Sequence, residues 1–345
     1  MWRSRSEARR RPAPRRLLPL LLALLLTACG TGAAPAGPAG GPSGGPSGGP
    51  SGGPSGDVAP SVPGGDVVGV PEATVPAAPA PPAPTRPSLA DLAEQVAGEL
   101  SAESVVQDVL GADMSWPQCA PGLGIPEKRS SGQPRPVPEA EYVILGLTNG
   151  PGVSPNPCLA EQAAWTRERG MLLGAYAVAS YPEPRFVEQY GDDGPFDAAT
   201  PAGLLANVGY QQARFNLASL REAGMAQVPV IWIDVEPVPD FEWSSDLEAN
   251  AAVVTGLARG YRDAGYGIGV YSTTALWDAV VGDLALGVPE WRAAGQTSRE
   301  EALRRCGPEA SIQGGEPIFA QWVEADRDMN ISCPGPIRLS DWFAA

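Results

Sequence analysis

The chain has 345 residues, a formal net charge of −15 and no histidine, which excludes Ser-His-Asp triads, Cys-His pairs, His-ligated zinc and histidine general bases. Acid–base chemistry near neutral pH then falls to carboxylates. Seven Arg and one Glu lie in residues 1–16, and without them 17 basic residues face 38 acidic ones, a net charge of −21; no nucleic-acid partner is expected.

In chain order, Arg9, Arg10, Arg11, Arg15 and Arg16 precede an apolar run at 17–26. That run is too short to cross a bilayer and reads as the core of an export signal over residues 1–29. Leu26-Thr27-Ala28-Cys29 resembles a bacterial lipobox, so Cys29 is expected to carry lipid and to hold the protein at the outer face of the cell membrane. Residues 30–87 read as a tether. Between Gly30 and Ser88 there are 15 Gly and 15 Pro, with four tandem Gly-Pro-Ser-Gly units, and such a composition cannot bury enough apolar surface to offset its ordering entropy.

Residues 88–345 remain for one large α/β domain. Ser88 is a candidate N-cap for a helix over 89–100. Short apolar runs then alternate with amphipathic stretches, the pattern of parallel strands and crossover helices. Strands are expected at 109–116, 142–148, 171–179, 228–236, 267–272, 290–294 and 318–323, with an eighth near 330–333. Helices are expected at 159–169, 202–223, 245–264, 274–281 and 298–305. This suits an irregular (β/α) TIM-type barrel that loses helices late in the chain. A doubly wound open sheet is the alternative, although no glycine-rich phosphate loop follows the first strand.

The fourth strand carries the most informative stretch, Val230-Ile231-Trp232-Ile233-Asp234-Val235-Glu236-Pro237. Alternation puts Trp232, Asp234 and Glu236 on one face and Ile231, Ile233 and Val235 on the other. Two acids at the C-terminal end of a buried strand stand where barrel enzymes place their chemistry. Their Cα atoms lie about 6.5 to 7 Å apart along a strand, close enough for one charge to raise the other's pKa, as a glycosidase acid requires. Asp113 ends the first strand, and Asp328 follows the strand that holds Gln321 and Trp322. All four acids are expected at one mouth. The same oxygens could instead form a Ca²⁺ or Mg²⁺ site, though without EF-hand spacing. Trp232, Trp322, Tyr176 and Tyr271 are candidate platforms for sugar rings.

Beyond Cys29, Cys119, Cys158, Cys306 and Cys333 form an even set without CxxC spacing, which in an exported chain reads as two disulfides. Pairing nearest neighbours gives Cys119–Cys158 and Cys306–Cys333, one of three connectivities.

With these residues placed, the chain resembles the family 25 glycoside hydrolases (lysozymes, or muramidases), and more closely an actinobacterial extracellular branch of that superfamily. The resemblance runs from about Gly111 to Cys333. Gly111-Ala112-Asp113-Met114-Ser115-Trp116 is similar to the opening Gly-x-Asp-x-Ser motif, residues 143–150 to the second strand, and Gly174-Ala175-Tyr176 to the third. Asp234-Val235-Glu236 is similar to the Asp-x-Glu, Val270-Tyr271-Ser272 to the Tyr-bearing fifth strand, Gln321-Trp322 to the late Gln-aromatic pair, and Asp328-Met329-Asn330 to the closing Asp-x-Asn. The resemblance implies a β-1,4 glycosidase acting between N-acetylmuramic acid and N-acetylglucosamine. Glu236 is then the general acid, Asp234 its partner or the stabiliser of the reacting sugar, and Asp113 and Asp328 complete an acidic cleft. Tyr176, Tyr271, Trp232, Gln321 and Trp322 would bind substrate. A carboxylate nucleophile and the substrate's own acetamido group are both open as routes; neither needs a metal, no cofactor is expected, and the protein is expected to act as a monomer on peptidoglycan or a related glycan. The chain departs from the family at Ala177, where a His usually follows the third-strand Tyr, at 183–200, and around Cys306. A glycan-binding or structural envelope lipoprotein on the same barrel is the competing reading, and a glycosidase for another N-acetylated or capsular polysaccharide is the third.

Overall fold

The computed structural model describes Ser88 and residues 108–345. The chain divides into two units, Met1–Val96 and Ala97–Ala345, and the elements below belong to the second. The expected export signal, the tether, Cys29 and the helix at 89–100 lie outside the described residues.

Eight strands close into a barrel in chain order: β1 (Leu110–Met114), β2 (Tyr142–Gly146), β3 (Leu172–Val178), β4 (Val230–Asp234), β5 (Gly267–Ser272), β6 (Glu290–Gln296), β7 (Pro317–Glu324) and β8 (Arg327–Ser332). Around them lie α1 (Leu159–Arg167), α2 (Pro184–Tyr190), α3 (Pro201–Glu222), α4 (Leu247–Asp263), α5 (Thr274–Val281) and α6 (Arg299–Arg304). The closed sheet excludes the open-sheet alternative. Each long helix starts where a side chain can satisfy free N–H groups: Thr200 caps α3 and Asp246 caps α4. The short α2 was not expected from the sequence; none of its residues is buried, so it lacks the apolar stripe that announces a helix.

Neighbouring strands from β1 to β7 are parallel, whereas β8 is antiparallel to both β7 and β1. The eighth strand therefore starts earlier than expected and follows β7 without a helix. Only Ala325 and Asp326 separate the two, with φ of 51° and 57°, the left-handed pair that a two-residue hairpin turn requires. This reversal positions the site. It brings the start of β8 to the end of the barrel where the other strands finish.

The barrel interior is filled from below by rings. Tyr142, Trp232, Trp291 and Phe319 form one apolar cluster with Phe343, and Trp342 packs against it. Trp232 stacks on Trp342 at 5.8 Å, and Tyr142 on Phe343 at 4.2 Å. Inward-facing glycines make room for them. A Cβ on Gly111 would lie 2.2 Å from the Tyr142 ring, and one on Gly269 2.2 Å from that of Trp232. The lower barrel is thus a packed core, as in other (β/α) barrels. Ile231, Ile233 and Val235 pack under the helices with Val254, Leu257 and Tyr261, as alternation along β4 predicts.

Both expected disulfides are present, Cys119–Cys158 and Cys306–Cys333. The second ties the segment after α6 to the end of β8. A buried Glu290–Arg292 pair at 2.7 Å organises that same region. Glu290 accepts from the backbone N–H groups of Ile312, Gln313 and Gly315, and Arg292 donates to the carbonyls of Arg305 and Gly307. With each charge matched by several hydrogen bonds, the pair can be buried without an uncompensated ion.

Candidate active site

The acids from β1, β4 and β8 meet above the aromatic floor. In β1, Gly111 and Ala112 pair with Asn330 and Met329 of β8, so the next step of that register sets Asp113 against Asp328. Asp234 is the last residue of β4, and Glu236 follows two positions on. Asp113 is 6% exposed and Asp234 3%. Among the described residues, no Lys or Arg forms an ion pair with any of the four.

Charges buried together without a cation must be relieved by protons. Burial, then Asp328, pushes the Glu236 carboxyl to about 7. Burial lifts Asp328 to about 6 against a hydrogen bond from Gln118. Burial and then Glu236 and Asp113 raise Asp234 well above the carboxylate range. Asp113 is raised by burial and by Asp328, while hydrogen bonds from Gln321 and Asn330 favour its ionised form. Burial also raises the phenols of Tyr176 and Tyr271, which keeps both as O–H donors at neutral pH.

Neutral side chains fix Asp113. Its Oδ2 accepts from Gln321 Nε2 at 2.9 Å and from Asn330 Nδ2 at 2.8 Å. Gln321 Oε1 accepts from the Tyr271 hydroxyl at 2.7 Å, and Asn330 Oδ1 from the Trp291 indole at 2.7 Å. Gln321 and Tyr271, expected to bind substrate, are thus hydrogen-bonded to each other beside the acids, and Tyr176 is hydrogen-bonded to Ser115 just after β1. Asp234 differs from Asp113 in one respect. Its Oδ1 is buried and has no hydrogen-bond partner.

Two expected platforms need correction. Trp232 is inward-facing but 0% exposed; it lies two residues below Asp234, sealed by Trp291, Phe319 and Trp342. Trp322 follows Gln321 directly, so when Gln321 faces inward Trp322 faces outward. It is 2% exposed, packs with Ala302 and Met329, and donates its indole N–H to Glu324. Neither can stack on a sugar.

Sequence reasoning missed Gln118, Asn330 and Trp291. Asn330 stands in the Asp-x-Asn motif, and its even spacing from Asp328 in a strand was the available signal. Gln118 follows the first motif closely; its Oε1 accepts from Ser115 N at 2.9 Å while its amide reaches Asp328. Ala177, the departure from the family pattern, faces the helices and is buried in the outer core, so it does not enter the acid cluster.

Residues 199–300, from the residue before the α3 cap to the first turn of α6, match the family model described as Lysozyme-like protein 1. No curated protein matches the chain significantly. Solved structures similar to it include a muramidase from Acremonium alcalophilum, at 18% identity over 67% of this chain and 97% of that one, TM-score 0.42. A family GH25 lysozyme from Aspergillus fumigatus gives 16%, 69%, 100% and 0.43 in the same order, and a bacterial lysozyme from Streptomyces coelicolor 14%, 66%, 92% and 0.41. Over residues 199–300, which include β4, β5 and the Asp234-Val235-Glu236 stretch, the chain is thus similar to a lysozyme-like family.

Proposed function

We propose that the protein is a peptidoglycan hydrolase of the muramidase type, with Glu236 as its general acid. The observation that carries this reading is an acid cluster without a cation, in which Glu236 holds its proton to about pH 7 while three further carboxyls surround the same space. Glu236 gives its proton to the glycosidic oxygen as the bond from the anomeric carbon breaks. The positive charge that develops on the sugar is stabilised by carboxylate, and water completes the reaction, giving a proton to the Glu236 carboxylate. The unpartnered Asp234 Oδ1 is an acceptor suited to the N–H of a sugar acetamido group. That contact would hold the acetamido oxygen toward the anomeric carbon, which favours the substrate-assisted route.

We further propose that the mature protein is attached to the membrane through lipid on Cys29, with residues 30–87 spacing the barrel toward the wall. Cys29→Ser should then release the protein into the medium.

Incubating the mature chain with purified peptidoglycan tests the catalytic reading. New reducing ends on muramic acid residues are expected. Glycan binding without any new reducing end would favour the non-catalytic envelope protein, and cleavage of chitin but not of peptidoglycan would favour a different N-acetylated substrate.

A further inference from the structure

Glu236 follows β4, so the strand ladder does not hold it. Its neighbour Val235 is fixed to β5, donating N–H to the Tyr271 carbonyl at 3.0 Å and accepting from the Ser272 hydroxyl at 2.7 Å. On the other side, Pro237 confines Glu236 to extended backbone. The remaining handle is the Glu236 carbonyl, which accepts from the Trp243 indole N–H at 3.0 Å.

Trp243 can reach back because the chain between them turns sharply. Val238 and Phe241 form an antiparallel bridge around Pro239 and Asp240, and Asp240 has φ 71°. Proline second and a left-handed residue third is the pattern of a type II turn. Contacts with the connections after β1 and β2 steady the turn. Lys128 Nζ lies 3.8 Å from Asp240 Oδ2. The buried Asn149 holds the Lys128 segment, accepting from Ile125 N at 2.7 Å and donating to Lys128 O at 3.1 Å. Phe241 packs over Gly150, where a Cβ would meet its ring at 3.1 Å.

We propose that Trp243 is a positioning residue for the Glu236 carboxyl, and that the Val238–Phe241 turn with its Lys128–Asp240 link keeps Trp243 in place. The inference rests on Glu236 being the acid of the hydrolase proposed above. The link itself is exposed on the Asp240 side, where water screens it, and the indole N–H carries most of the effect.

Trp243→Phe in the mature chain keeps a packing ring and deletes the donor. Two readouts apply: kcat and KM on peptidoglycan, and the titration of the Glu236 carboxyl by carbon-13 NMR, with its signal identified by loss in Glu236→Gln. We expect kcat to fall about 10- to 100-fold with KM within about twofold. The Glu236 midpoint should drop from about 7 toward 4.5 as the carboxyl tilts into water, away from Asp328, Asp234 and Asp113. Asp240→Asn, which keeps the left-handed turn residue, should move both readouts the same way by less and serves if Trp243→Phe fails to fold. A midpoint unchanged in every variant that folds overturns the proposal, whether or not kcat falls. A wild-type chain that cuts no peptidoglycan while the midpoint still drops refutes the hydrolase reading and leaves the positioning role standing.

Discussion

The Gln321 amide donates to the Asp113 carboxylate at 2.9 Å, spanning from β7 to β1 across β8. The same side chain accepts from Tyr271 on β5, so one glutamine links an acid to a phenol on the far side of the mouth. Gln321→Met keeps the length and removes both bonds. It should lower stability by about 1–3 kcal/mol, the cost of leaving buried polar partners unmatched, and raise the Asp113 pKa further because a donor to its ionised form is gone. Urea unfolding checks the first effect and carboxyl NMR the second.

Stability should fall as pH rises from acid to neutral. Glu236 goes from 4.5 unfolded to about 7 folded, and Asp328 from 3.8 to about 6. Both carboxyls bind protons more tightly in the native state, so their contribution is full below the unfolded values and is lost as pH climbs through the folded ones. Each tenfold difference in proton affinity is worth about 1.4 kcal/mol. The melting temperature should therefore be higher at pH 4.5 than at pH 8, and Glu236→Gln should flatten the slope between about pH 5 and 7. A melting temperature that climbs steadily over this range would contradict the raised values.

The floor of the barrel depends on the last few residues. Phe343 is 4% exposed and stacks on Tyr142, and the backbone of Ala344 bridges to Leu173. Phe343→Ala should cost about 3–5 kcal/mol, the usual range for emptying a buried aromatic site. Denaturant unfolding of this variant, compared with that of an exposed α2 substitution such as Glu188→Ala, measures the difference.

How much of this was legible in the sequence depended on what each residue's neighbours fix. Strands such as Val230–Asp234 are apolar on both faces, and their limits were readable to within a few residues. The face of Asp234 was also readable, because alternation is geometric. Depth was not. Trp232 shares that face but lies below the mouth, and only the C-terminal rings packed beneath it reveal this. Trp322 was misread because motif resemblance treated adjacent residues as a unit, where the pleat sends Gln321 and Trp322 to opposite sides. The reversal of β8 rests on Ala325 and Asp326, and alanine is not the residue that announces a left-handed turn.

The central claim is tested most directly by comparing wild type with Glu236→Gln on purified peptidoglycan, after matched circular dichroism spectra establish that both are folded. The wild type should release new reducing ends, and the variant should be slower by about 100-fold or more, since general acid catalysis contributes about 10²–10⁴. A variant that cuts as fast as the wild type would contradict the assignment of Glu236 as the acid.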